Sequence, residues 1–176
     1  MISWLIRLPL MVIWTVVLFK DRPTERFIML GLIFIAHIIE YKNYKWINIA
    51  WTKAKSLEFE EMKICLDKIR FTSRFMFVNK GFYLWMRSMY LTAVVKDYEK
   101  AQELAEAALK AGVRTEKNRA LMYVHMAEIL TGQNNFDKAL GLIEEARKID
   151  PSEEVEKYIS ESETNIKGYM NKTKEN

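Results

Sequence analysis

The residues able to do chemistry are few, and their spacing keeps them apart. The histidines are His37 and His125, and the only cysteine is Cys65. Two imidazoles and one thiol do not supply a zinc site by themselves. His37 stands inside an apolar run, where an ionisable side chain is a functional candidate by default. Arg7 and Glu40 lie near the ends of the apolar stretch, so no buried relay forms and a neutral imidazole bonded to a neighbouring helix is expected. His125 follows Val124 and is expected at a surface or between helices. Cys65, between Ile64 and Leu66, reads as a small buried hydrophobe, and a lone cysteine makes no internal disulfide. The adjacent pairs Glu60, Glu61 and Glu144, Glu145 diverge by about 100° on a helix, so neither converges on one site. No glycine-rich phosphate loop occurs. These residues point to no enzymatic activity, no cofactor and no metal.

The surrounding elements read as an all-α chain. Of 176 residues half are hydrophobic, with only six Gly and three Pro, which suits helices joined by short turns. Residues 1–19, MISWLIRLPLMVIWTVVLF, carry one charge, Arg7; residues 27–39, FIMLGLIFIAHII, carry none but follow the polar link KDRPTER. Two apolar runs and a tight link predict a transmembrane helical hairpin over residues 1–41, in contact with the lipid bilayer. A span needs about 20 residues, and both runs fall slightly short of it. Trp4 and Trp14 suit headgroup-level anchoring, and Arg7 is placed to snorkel. Three alternatives compete. A signal peptide lacks its basic start and small-residue cleavage site here, a surface-lying pair lacks its charged face, and a pair buried in the remaining domain is the third. Lys20, Arg22 and Arg26 in the link nearly balance Lys42, Lys45, Lys53 and Lys55 beyond it, and Arg7 tips the orientation towards both ends inside. The expectation is an integral protein of a bacterial-type cytoplasmic membrane, its remaining domain in the cytosol.

The net charge of +4 is unevenly placed. Residues 42–81 hold nine Lys/Arg against four Asp/Glu, residues 82–150 balance at ten each, and residues 151–176 come to −2. A basic juxtamembrane stretch faces anionic lipid. No recognised basic module accompanies it, so no nucleic-acid partner is expected.

Beyond residue 41 four columns share one period. Trp46, Trp85 and Tyr123 lie 39 and 38 residues apart. Phe59, Tyr98 and Phe136 repeat at those intervals, as do Met62, Ala101, Ala139 and Ile69, Ala108, Ala146. In the last unit a helix over residues 121–131, a GQNN turn and a helix over 136–149 are predicted. Ala139 and Ala146, seven apart, share one helix face and let two helices approach. Pro151 closes the unit, because proline disfavours helix in the residue before it.

These columns resemble the tetratricopeptide repeat (TPR) family. In the third unit Tyr123, Met126, Ala127, Asn135, Phe136, Asp137, Ala139, Ala146 and Pro151 match its pattern. The second unit matches at Trp85, Asp97, Tyr98, Ala101 and Ala108, but Ser88 and Met89 stand for the usual large and small residues, and 113–118 is an insertion. The first unit keeps Trp46, Ile49, Ala50 and Phe59, with Met62 and Ile69 where small residues are usual. The resemblance covers residues 43–151. It implies a TPR-like α-solenoid of about three helix pairs and a capping helix over residues 42–168. Val155, Ile159 and Ile166 would cover the last pair, and residues 169–176 would form a flexible tail.

In this family, ligand contacts fall on the concave surface lined by the first helix of each pair. Carried over position by position, that surface comprises Tyr44, Ile47 and Trp51, then Tyr83, Met86, Tyr90 and Val94, then Leu121, Val124, Glu128 and Thr131. Ile47 and Trp51 occupy positions where some members clamp a peptide carboxylate, so that clamp is absent. An aromatic and Met-rich groove suits an apolar or amphipathic segment of a protein partner, or it is filled from within by residues 71–78 or the hairpin. Two functions follow. One is a membrane-anchored adaptor or scaffold binding proteins through the groove. The other is a structural accessory subunit of a larger membrane complex, packed through the hairpin around Gly31 and Ala36.

Overall fold

The structure, a computed structural model, describes residues 4–69, 80–113 and 115–175. All regular elements among them are helical: α1 (Trp4–Leu18), α2 (Pro23–Lys55), α3 (Phe59–Asp67), α4 (Lys80–Tyr90), α5 (Tyr98–Ala111), α6 (Glu116–Gly132), α7 (Phe136–Ile149) and α8 (Glu153–Glu175). A wide π turn, Leu91–Val95, ends α4. The protein is all-α. The segment 71–78, as well as the side chains of Trp4 and Arg7, lies outside the described residues.

Local chemistry sets the helix ends. Pro23 opens α2, where an amide hydrogen has no helical partner to lose. The Asp97 carboxylate accepts from the Lys100 amide at 3.2 Å and caps α5. Thr115 Oγ1 accepts from the Asn118 amide at 3.1 Å and caps α6. That cap starts α6 at Glu116, five residues before the predicted Leu121. Gly112, at φ 86°, stops α5. Pro151 holds Asp150 in extended backbone and stops α7. α8 does not stop near Gly168: the expected tail is helical through Glu175, since one interior glycine costs only about 1 kcal/mol.

The larger difference concerns α2. The boundary expected between residues 41 and 42 falls inside one helix of 33 residues, about 50 Å long. From Leu32 to Lys55 it contains neither Gly nor Pro, so nothing interrupts it. α1 packs on α2, and α2 in turn carries α3 and α4. From there each helix packs on the next, and α8 lies against both α6 and α7.

The sequence columns correspond to structural roles. Phe59, Tyr98 and Phe136 are the first residues of α3, α5 and α7, each half-buried. Met62, Ala101 and Ala139 are fully buried, and Ile69, Ala108 and Ala146 are buried as well. A further regularity lies in the backbone. The three described non-glycine residues with positive φ are Leu57 (59°), Lys96 (62°) and Asn134 (60°), each two residues before one of those aromatics. Left-handed backbone costs most L-residues about 1–2 kcal/mol, and asparagine least. The turn therefore repeats even where the side chain does not favour it. Close approach repeats less regularly: a Cβ on Gly81 would collide with the Gly112 carbonyl, and one on Gly132 would collide with the Tyr98 ring.

Candidate interaction surfaces

The first surface is apolar and lies on α1 and the leading half of α2. Within residues 9–41 only Thr15 and Ile33 are buried. Thr15 is satisfied locally, its Oγ1 donating to the Met11 carbonyl at 2.8 Å. Around them Trp14 is 62% exposed, Phe27 72% and Phe34 63%, with Ile13, Val17, Leu18, Ile28 and Ile35 also exposed. Soluble helices hide such a stripe against a second layer; here no described helix covers it. No helix among the described residues is long and apolar enough to cross a membrane. The 15 residues of α1 reach about 22 Å, against about 30 Å of bilayer hydrocarbon. His37 bonds within its own helix rather than to a neighbour, Nδ1 donating to the Ile33 carbonyl at 3.0 Å.

One face of α2 records a graded change. Phe27, Phe34, Ile38, Tyr41, Lys45, Asn48 and Thr52 follow at helical spacings of seven, then alternating four and three, and all are exposed. The face runs from apolar to aromatic and basic to neutral polar. Behind it Ile47, Ala50 and Ala54 enter the core with Met62, Cys65, Leu66, Ile69 and Met86.

The second surface is the expected groove, and the structure distributes its residues over several roles. Ile47, Met86 and Val124 are buried, so they serve packing rather than an open groove. Tyr83 and Tyr90 are half-buried against the α2–α3 core that contains Met86. The Tyr90 hydroxyl donates to Glu60 Oε1 at 3.2 Å. Arg87 donates to the Tyr83 hydroxyl at 3.2 Å and to Asp67 Oδ1 at 2.6 Å, tying α4 to α3. Lys63, then Arg87, hold the Asp67 carboxyl below its ordinary range. Trp51 packs against Phe82 and Trp85, with ring centroids 4.8 and 5.4 Å away. Leu121 is half-buried against Trp85, Ala108 and Met122. Thr131 Oγ1 donates back to the Ala127 carbonyl at 2.8 Å. Tyr44, Val94 and Glu128 remain exposed. The apolar α4 positions are thus filled from within by the first unit.

A polar seam that sequence spacing does not reveal links α4, α6 and α8. Ser88, fully buried, donates to the Ala101 carbonyl at 2.7 Å. With its hydrogen so committed, its oxygen accepts from His125 Nε2 at 3.0 Å. The other imidazole nitrogen faces Glu128 Oε2 at 3.4 Å, and Ser162 of α8 donates to Glu128 Oε1 at 3.3 Å. Hydroxyl, imidazole and carboxylate stand in the order of an acyl-transfer triad. The serine, however, is sealed from solvent and its hydrogen is spent on a backbone carbonyl. The seam joins α4, α6 and α8 instead. His125 is accordingly an inter-helix side chain, and Ser88, one of the residues that depart from the resemblance, is its partner.

At the far end Arg147 fastens α8 to α7. It bonds Glu156 at 3.0 Å, Glu163 at 3.0 Å and Glu144 at 2.8 Å. Arg147 holds the Glu156 carboxyl below its ordinary range, and Lys167 and then Arg147 do the same for Glu163.

Compared with protein-family models, with curated proteins and with solved structures, the chain finds no match.

Proposed function

We propose that this chain is a membrane-anchored, TPR-like interaction protein, in which α1 and the leading half of α2 form a transmembrane hairpin and the remaining helices form a solenoid that engages another protein. The observation that carries the anchor is the graded face of α2, apolar through Ile38, aromatic and basic at Tyr41 and Lys45, and neutral polar at Asn48 and Thr52. Short apolar runs are accommodated by local bilayer thinning and by flanking residues that snorkel, at a modest cost per ångström. The recurring left-handed turn before Phe59, Tyr98 and Phe136 supports the repeat. No catalytic role is assigned.

The test is extraction. Membranes from cells expressing the full chain should retain it at alkaline pH, and Phe34→Asp with Ile38→Asp should release it. Release of the unaltered chain would defeat the anchor. For the partner, a photo-crosslinker at Tyr44 or Val94 should capture one discrete protein that a crosslinker at Tyr158 does not. Identical products at all three would remove the groove.

A second reading, a subunit packed permanently through its hairpin, draws on the burial of Met86 and the half-burial of Tyr83 and Tyr90. Gly31 also leaves open space for an approaching helix, since a Cβ there meets nothing within 4 Å. Under this reading crosslinks form from Gly31 and not from Val94.

A further inference from the structure

Resting on the membrane reading above, we propose that Tyr41, Lys42 and Lys45 of α2, with Lys68 after α3, form a collar that binds anionic lipid headgroups and holds the repeat helices down on the bilayer surface. Four observations meet here. First, Tyr41 and Lys45 continue the exposed face of Phe27, Phe34 and Ile38 without a break in the helix. If the apolar part lies in hydrocarbon, this turn of α2 lies among headgroups, where aromatic and basic side chains are favoured.

Second, the distances are short. Ile47, the first core residue of the repeat helices, is six residues beyond Tyr41, about 9 Å along the axis. That is close to the screening length of about 8 Å at physiological salt, so the first unit sits within the lipid field. Third, Lys68 is brought to the same end of the unit, its Nζ 4.3 Å from the centre of the Trp46 ring.

Fourth, the collar's charge is uncommitted. Three neighbouring cations are spent on carboxylates, Lys53 on Glu58 and Glu61 and Lys63 and Arg87 on Asp67, while Lys55 lies over the Trp51 ring. Among the described residues Lys42, Lys45 and Lys68 take part in no ion pair, and all three are exposed. Between residues 27 and 57 Glu40 is the single acidic residue. A neutral bilayer surface would make no use of this arrangement; phosphate-rich anionic headgroups complement it.

The test uses the full chain reconstituted into phosphatidylcholine vesicles and into phosphatidylcholine vesicles containing phosphatidylglycerol. Acylation of individual lysines by a water-soluble reagent is read by mass spectrometry, with Lys138 and Lys157 on α7 and α8 as internal references. Relative to these, Lys42, Lys45 and Lys68 should react roughly fivefold more slowly in the anionic vesicles, the factor that corresponds to about 1 kcal/mol per basic residue at such a surface. High salt should abolish the difference. Equal relative rates in both vesicle types would overturn the collar and leave the anchor standing. A chain that floats with neither vesicle type would overturn both.

Discussion

From Pro23 to Tyr41 helix α2 turns Phe27, Phe34 and Ile35 outward, while from Asn43 onward the same helix buries Ile47, Ala50 and Ala54. The half that is more apolar in composition is the one that leaves its large side chains exposed. What differs is the second layer. The trailing half has α3 and α4 packed on it, whereas the leading half has α1, which is itself apolar on its outer faces. Leaving a large apolar side chain in water forgoes about 1.5–3 kcal/mol. The leading half therefore leaves its apolar side chains uncovered by the rest of the described chain, whereas the trailing half buries its own in the core.

That contrast sets the largest expected effect. Met86→Ala removes a fully buried side chain at the meeting of α2, α3 and α4. It should lower unfolding free energy by about 2–5 kcal/mol, read from denaturant melts followed by circular dichroism. Phe34→Ala should leave that melt in place. If the two variants lose equal stability, the halves of α2 are one core and the distinction fails.

Next in size is the buried seam. Ser88→Ala strands His125 Nε2 in the interior and should cost about 1–3 kcal/mol. Because the seam also reaches Ser162, hydrogen exchange should rise in both α4 and α8. A rise confined to α4 would show that the seam does not couple the helices.

A smaller change should run the other way. Leu57 is exposed and held at φ 59°. Leu57→Gly removes the left-handed penalty of about 1–2 kcal/mol at an entropic cost of about 0.5–1 kcal/mol, for a net gain of roughly 0.5 kcal/mol. Asn134→Gly, at the corresponding turn before Phe136, should change stability by less. A lower melting temperature for Leu57→Gly would refute the strain.

The smallest effect concerns acid. Glu156 and Glu163 have folded pKa values lowered by Arg147 and Lys167. Their contribution is present above the ordinary carboxylate range and is lost as pH falls through the lowered values. Solvent screens these pairs, so the gain is slight. Protection of α8 against hydrogen exchange, corrected for the intrinsic pH dependence of exchange, should fall on acidification ahead of that of α6, and Arg147→Ala should flatten that response. An α8 no more acid-sensitive than α6 would exclude the latch.

The legible and the hidden parts of the molecule divide along physical lines. The starts of α3, α5 and α7 were readable because Phe59, Tyr98 and Phe136 answer a local packing demand repeated at one period. Alanines at 101, 108, 139 and 146 showed the same demand for close approach. The continuity of α2 was obscured because Glu40, Lys42 and Asn43 look like a boundary; the signal to the contrary was the lack of any Gly or Pro there. The left-handed turns at Leu57 and Lys96 were hidden by residue types that resist that backbone, although alignment with Asn134 marks the column. Ser88 and His125 are 37 residues apart, and only the stacking of α4 on α5 and α6 brings them together. Of the groove positions, the family resemblance put Ile47, Met86 and Val124 on the first helices, but it carried no information on how tightly the neighbouring helices would close over them.

An unbroken α2 also fixes a phase. One residue inserted between Tyr41 and Lys45 would turn everything beyond it by about 100° and advance it by about 1.5 Å, while the packing on either side of the insertion stayed as it is. The two ends behave as nut and bolt on one thread. Which flank of the repeat helices looks back along the apolar face is thus written in the number of residues between them, and a single-codon insertion would rewrite it.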